Sequence, residues 1–465
     1  MPVIEADVAV IGGGSGGYAA ARTAVSRGLK TVLVEGAEKM GGLCILRGCM
    51  PTKALLHAAE VYHQMHRAQV WGLRANEISY DFARVMERKN RLIGEFASYR
   101  QQQLTDGRFR LVRAPARFID PHTMDLGDAG TLRARSFVIA TGSTMAPSPL
   151  KALEGVDYLT SDDALELTAL PKSLIVLGGG AVAIEFAQFF ARFGVDVSIV
   201  QRSNRLLKDF DPDASAVVEQ ALRKEGVQIY TGTRLVDAGR DADGDRKYVE
   251  FEQDGHRRRI QAEEIFNGLG RVANTGSLNL EAAGVSHDRG RILADATMRT
   301  SAPHIFAAGD CTGPYELVHL AVLQGEVAGA NLLADTSAKR MDYRLLTFVV
   351  FCDPQVATVG LTEEEAKRTG ISYLASSYPF ADHGKSLIME ALDGHVKLLA
   401  DPKTGEILGG ACVGPQAGDL IHEIVVAMAA RLTVQQLAAV PHYHPTLAEI
   451  WTYPAEDLAG QIVTG

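Results

Sequence analysis

Cysteine is scarce here: five in 465 residues, too few and too odd a number for a secreted disulfide scaffold, so any disulfide is expected to be catalytic. Positive charge is also short. Lysine and arginine number 47 against 56 aspartates and glutamates, a formal net charge of −9. That balance disfavours nucleic acid as a partner, and the basic run from His256 to Arg259 reads as a solvated loop. No uninterrupted apolar run approaches the ~18 residues that span a bilayer, so no membrane segment is expected. The N-terminus enters an alternating strand without a basic stretch followed by an apolar one, and a cytoplasmic location is the expectation.

What is present is globular. A hydrophobic content of 46% with 22% charged residues suits a chain of two to four domains, and 46 glycines point to tight turns or phosphate-contacting loops. The apolar run Asp7 to Ile11, the glycines of Gly12 to Gly17 and the alanine-rich segment Tyr18 to Arg27 read as strand, turn and helix. Gly12, Gly14 and Gly17 satisfy G-x-G-x-x-G, and the next strand ends at Glu35, spaced to bind an adenosine ribose. Together these predict a dinucleotide site.

A second such unit starts at Ser173, with Gly178, Gly180 and Ala183 as G-x-G-x-x-A, so two dinucleotides are expected. Its second strand ends at Val200 before Gln201 and Arg202, where the ribose-binding acid is missing. An arginine there accommodates a 2′-phosphate, which favours NADP(H) over NAD(H). The segment Ser143 to Leu150, with two prolines, reads as a linker at a domain boundary. Asp310 ends an apolar strand and is placed to accept hydrogen bonds from a polyol. From about Met341 the pattern changes to an antiparallel sheet with helices, and Thr362 with Glu365 spells a capping box.

Two constellations carry chemistry. Between Gly41 and Lys53 the sequence GGLCILRGCMPTK sets Cys44 and Cys49 within about a turn and a half if the segment is one helix, near enough for a disulfide. A helix is expected to run on to Val70. Taken alone the pair reads equally as a redox couple or as two packing cysteines, and the spacing does not suit a metal site. Near the C-terminus His444 and Glu449 stand five apart, as a carboxylate orienting an imidazole base would, or as a structural pair.

The five motifs in this order resemble those of the FAD-dependent class I pyridine nucleotide-disulfide oxidoreductases, over nearly the whole chain. The resemblance implies an α/β protein with two Rossmann-like domains and a C-terminal α+β dimerisation domain. FAD would bind residues 1–147 and 273–341, NAD(P) residues 148–272, and the interface would lie in 342–465. It implies FAD contacts from Gly12, Gly14, Ser15, Gly17, Glu35, Gly42, Ala116, Thr141, Gly142, Asp310, Val318 and His319, and nucleotide contacts from Gly178, Gly180, Ala181, Arg202 and Gly270. Cys49 would face the flavin, Cys44 would exchange disulfides with substrate, and Lys53 would lie near the flavin with Glu185 as its ion-pair partner. A homodimer would deliver His444, held by Glu449, into the partner's site.

Within the family HPTLAE and GCMPTKALL are most similar to the dihydrolipoamide dehydrogenases, so a lipoyl group, small or protein-borne, is the expected dithiol. Reductases acting on glutathione disulfide or mercuric ion are the alternatives, and a non-catalytic FAD-bound subunit of a lipoyl-protein complex is a further one. Glu326 stands where the glutathione enzymes carry a carboxylate-binding arginine. Leu43 and Leu46 make the surroundings of Cys44 more apolar than is usual. Cys311, Cys352 and Cys412 belong to no motif and are expected to be buried.

Overall fold

A computed structural model describes residues 2–241, 244–333 and 338–462. The chain is of mixed α/β class and folds as two compact units. One comprises Met1–Ala54, Met86–Pro147 and Gly270–Asp342; the other comprises Leu55–Val85, Ser148–Leu269 and Tyr343–Gly465.

The first unit is built on the strands β1 (Val3–Ile11), β2 (Thr31–Glu35), β3 (Arg110–Arg113), β4 (Arg117–Asp120), β5 (Thr123–Asp125) and β6 (Thr131–Ile139). They lie in the order β3-β2-β1-β6-β5-β4, and the strand Ile305–Ala307 pairs with β6. The β1–β2, β1–β6 and β2–β3 pairings are parallel, and β5 pairs β6 antiparallel. The second half of β1, Val8 to Ile11, is buried throughout, as expected of a parallel strand covered on both faces. The helix α1 (Ser15–Ser26) makes the crossover from β1 to β2, so the glycine turn lies at the C-terminal end of β1, where such sheets bind ligands.

Three further helices follow: α2 (Gly42–Arg47), α3 (Cys49–His66) and α4 (Phe82–Thr105). The cysteine segment is therefore not the single helix expected from the sequence. Gly48 leaves helical space, at φ −129° and ψ −118°, and the second helix stops at His66, short of Val70. Ser143–Met145 is not linker either. It pairs antiparallel with Arg271–Ala273, a partner remote in sequence that local composition does not reveal.

Among the described residues the second unit holds three sheets. Four parallel strands, including Ser173–Leu177 and Asp196–Val200, flank the helix Ala181–Arg192; a three-stranded meander spans Arg234–Ala262; and five antiparallel strands carry the C-terminal portion. The helix Ala417–Ala429 covers that last sheet through Leu420, Ile421 and Ile424, and Trp451 fills the same core. The capping box at Thr362 and Glu365 forms. No helix among the described residues is long and apolar enough to cross a membrane.

Candidate active site

Cys44 lies on α2 and Cys49 opens α3. Breaking the helix at Gly48 lets the two side chains face each other, and their thiols are hydrogen-bonded. That bond, then burial, pushes the Cys44 pKa well above the ordinary thiol range, against the opposing pull of Lys53 and Arg100. Cys49 is exposed and occupies the first position of an 18-residue helix, whose positive end favours negative charge. Lys53 lies one turn further along the same helix.

The glycine turn is packed against this segment. A Cβ on Gly42 would lie 2.7 Å from the Gly14 Cα, and one on Gly17 only 1.9 Å from the Gly12 carbonyl oxygen, so both approaches require glycine. Gly14 caps α1 without a side-chain hydrogen bond, and Ser15 is its first residue. Buried Glu35 accepts from the Gly13 N–H at 3.0 Å and from the Ala37 N–H at 2.8 Å. The acid thus stands at the lip of the glycine turn.

Asp310 accepts from the Ser143 hydroxyl at 2.7 Å, and Arg271 donates to the same hydroxyl oxygen at 2.9 Å. Thr141 Oγ1 is buried with no hydrogen-bond partner among the described residues. An orphaned hydroxyl beside Gly142, a cradle of glycines and a ribose-spaced acid fit a bound dinucleotide such as FAD. Ala116 packs against the core of this unit, while Val318 and His319 open the helix Val318–Asn331. The structure therefore gathers Gly12, Gly14, Ser15, Gly17, Glu35 and Gly42 at one turn.

The second glycine turn repeats the first with one change. Gly178 donates to the Val200 carbonyl at 2.9 Å as Gly12 donates to that of Val34 at 2.8 Å, which makes Gln201 the counterpart of Glu35. Gln201 is buried, and a Cβ on Gly179 would meet its side chain at 3.1 Å. A neutral amide stands where the first turn has a carboxylate. Arg202 beside it is exposed and has no carboxylate partner among the described residues. Arg205 is held by Glu364 and by the carbonyls of Lys208 and Phe210. Gly180 caps the helix that Ala181 opens, and Gly270 lies at a positive φ of 110°. Glu185, buried on that helix, accepts from the Phe351 N–H at 3.0 Å.

His444 and Glu449 do meet: Nδ1 and Oε2 are 3.0 Å apart. The His444 side chain is 78% exposed and the carboxylate nearly buried, so the imidazole presents its other nitrogen outward. Neighbouring His442 is a different case. Its Nε2 meets Glu423 at 2.6 Å and its Nδ1 the Val440 carbonyl at 3.0 Å, which makes it structural.

Cys311, Cys352 and Cys412 are fully buried. Burial pushes the Cys311 thiol up to about 11 and raises the other two further. The sequence reading missed two features. Arg100 stacks over Tyr18 at 4.4 Å within electrostatic reach of Cys44, and His383 lies 3.4 Å from the second oxygen of Glu449. Neither lies in a motif, and only tertiary packing brings them to the site.

Residues 6–325 match the family model described as pyridine nucleotide-disulphide oxidoreductase, and residues 347–455 match the dimerisation domain of that family. The chain is 38% identical over 460 residues to a dihydrolipoyl dehydrogenase of Thermus scotoductus, covering 98% of each. It is 35% identical over 463 residues to a mercuric reductase of Streptomyces lividans, covering 98% of this chain and 97% of that one. Among solved structures, LpdA from Mycobacterium tuberculosis has a TM-score of 0.87 at 27% identity, covering 98% of this chain and 99% of that one.

Proposed function

Because the chain belongs to the FAD-dependent pyridine nucleotide-disulphide oxidoreductases, we propose that it moves an electron pair between a dithiol and NADP(H), with dihydrolipoyl groups as the dithiol. The observation that carries this reading is the pair of facing thiols, Cys44 hydrogen-bonded to Cys49 and Cys49 at a helix start. Arg22 and Glu326 pair with each other at 2.6 Å, which leaves neither to recognise a substrate carboxylate and suits a neutral dithiolane better than glutathione disulfide.

With Cys44 and Cys49 joined as a disulfide, a substrate thiol gives its proton to His444 as its sulfur attacks that of Cys44, and Cys49 leaves as the thiolate. The second substrate thiol then attacks the substrate sulfur of the mixed disulfide and displaces Cys44, closing the substrate disulfide, and its proton passes to the departing Cys44 sulfur. Two electrons leave the substrate and arrive on the cysteine pair. FAD, when bound, carries that electron pair between the cysteines and the nicotinamide nucleotide. Lys53 and the start of α3 favour the charge on Cys49, while Glu449 fixes the orientation of His444.

We assign FAD to residues 1–147 and 273–341, with Gly12, Gly14, Ser15, Gly17, Glu35, Gly42, Ala116, Thr141, Gly142, Asp310, Val318 and His319 as contacts. The nicotinamide nucleotide belongs to residues 148–272, at Gly178, Gly180, Ala181 and Arg202, with Gly270 and with Glu185 as partner to Lys53. NADP(H) is favoured because Gln201 replaces the acid and Arg202 is available to a 2′-phosphate. Residues 342–465 form a homodimer interface that brings His444 to the partner's cysteines.

The deciding experiment is steady-state turnover with dihydrolipoamide, lipoamide, glutathione disulfide and mercuric ion, each with both nucleotides. Lipoamide-linked turnover, faster with the phosphorylated nucleotide, is expected. Turnover of mercuric ion or glutathione disulfide without lipoamide would reassign the substrate, and no turnover of any would leave a non-catalytic flavoprotein.

A further inference from the structure

Glu449 faces two imidazoles. On the side away from His444, its Oε1 lies 3.4 Å from Nε2 of His383, a side chain with 0% exposure. The other nitrogen of that ring, Nδ1, lies 2.9 Å from the Ser386 hydroxyl. The result is a line of four groups, Ser386, His383, Glu449 and His444, of which only the last is exposed.

The chemistry of the partners fixes the proton positions. A carboxylate only accepts, so an attractive contact at Oε1 requires the proton on Nε2. Nδ1 then has a lone pair, and the Ser386 hydroxyl donates to it. Burial lowers the His383 pKa against the opposing pull of Glu449, which keeps the ring neutral. The charged and titratable groups around it are Glu449, His444 through that carboxylate, and Tyr453 of the helix Thr452–Gln461, edge-on at 6.3 Å. Tyr378 of the strand Leu374–Pro379 stacks on Tyr453 at 4.0 Å, and the apolar Phe380 ring lies 6.5 Å from His383. Among the described residues no cation faces it besides a protonated His444.

Nε2 has no completed hydrogen bond at 3.4 Å, so Glu449 is the acceptor it is poised to take. A donor on Oε1 stabilises negative charge on Glu449 most when His444 is neutral, because a protonated His444 already satisfies that charge. The buried ring therefore competes with His444 for the same carboxylate.

We propose that His383, held in one tautomer by Ser386, is a positioning residue that locks the Glu449 carboxylate and lowers the proton affinity of His444. The inference rests on His444 being the base of the proposed reaction, but its test does not depend on turnover.

Full-length, flavin-loaded protein with isotopically labelled histidine is titrated by NMR, following the exposed His444 ring in wild type, His383→Leu, His383→Gln and Ser386→Ala. His383→Leu is expected to raise the His444 midpoint by about half a pH unit or more, and Ser386→Ala by less in the same direction. His383→Gln, which can return an N–H to Oε1, should restore most of the difference. Where dihydrolipoamide is turned over, the acidic limb of kcat/KM should move with the same order of variants. An unmoved midpoint in His383→Leu, or equal shifts in the leucine and glutamine variants, would overturn the proposal. If His383→Leu does not fold, the Ser386→Ala and His383→Gln titrations decide it: no shift in Ser386→Ala contradicts the relay. Absence of dihydrolipoamide oxidation would instead count against the functional reading.

Discussion

Glu449 Oε2 lies 3.0 Å from His444 Nδ1, which fixes the tautomer of an otherwise exposed ring. The carboxylate oxygen accepts a hydrogen bond from Nδ1–H, so Nε2 is the atom left to exchange protons with a thiol. His444→Ala is expected to lower kcat for dithiol oxidation by about 10²–10⁴-fold. Glu449→Gln should show a smaller loss, since an amide can hold the ring but does not stabilise its protonated form. Steady-state kinetics on both variants, with flavin content as the control, checks the order.

Burial separates the five cysteines into two classes. Cys44 and Cys49 are reachable, whereas Cys311, Cys352 and Cys412 are sealed in cores that also raise their pKa values. Iodoacetamide at neutral pH should label the reduced native protein at the exposed Cys49, with Cys44 slower because its pKa is raised, and neither once that pair is oxidised. Peptide mass mapping reads the sites. Labelling of Cys352 or Cys412 in the native protein would contradict the assignment.

The proposed preference for NADP(H) is tested at two adjacent residues. Arg202→Ala should raise KM for NADP(H) about tenfold with little change for NAD(H). Gln201→Glu restores the acid seen at Glu35 and should reverse the preference. Equal losses with both nucleotides in Arg202→Ala would mean that this arginine supports the loop and does not read the phosphate.

A buried charge cluster makes the C-terminal sheet sensitive to pH. Lys397 Nζ lies 3.2 Å from Asp211 and 2.9 Å from Glu363, and it also pairs with Asp213. Burial alone would raise the carboxyl pKa values. Hydrogen bonds from His395 and Lys397 outweigh it at Asp213, and the bond from Lys397 does so at Glu363, so both are depressed. Their contribution is complete above the ~4 of an unfolded carboxyl and is lost as pH falls through the folded values. Burial likewise works against the Lys397 charge, but Asp213, Glu363 and Asp211 raise its pKa. That contribution is complete below ~10.4 and lost as pH rises through the folded value. Lys397→Met should cost about 1–3 kcal/mol at pH 7, because buried Asp211 keeps the N–H groups of Glu363 and Glu364 while Asp213 and Glu363 are partly exposed to water. Urea unfolding between pH 3 and pH 8 measures the loss, which should shrink in acid.

Local sequence carried much of this site. Glycine spacing after an apolar strand, two cysteines near a lysine, and a histidine five residues before a glutamate are short-range patterns, and each forms the local arrangement it implies. The break at Gly48 was not legible, since the same residues suit one helix and only the folded backbone takes Gly48 out of helical space. Nor was the pairing of Ser143–Met145 with Arg271–Ala273, which composition presents as linker. Gln201 shows its equivalence to Glu35 only through matching hydrogen bonds under the two glycine turns. His383 lies in a stretch with no motif, and folding alone places it behind Glu449.

Cys44 and Cys49 are proposed as the working disulfide. Anaerobic oxidation of dihydrolipoamide by NADP⁺ should proceed in the wild type and fall by at least about 10³-fold in both Cys44→Ser and Cys49→Ser, with FAD content unchanged. Sustained turnover in either flavin-loaded variant would contradict the account.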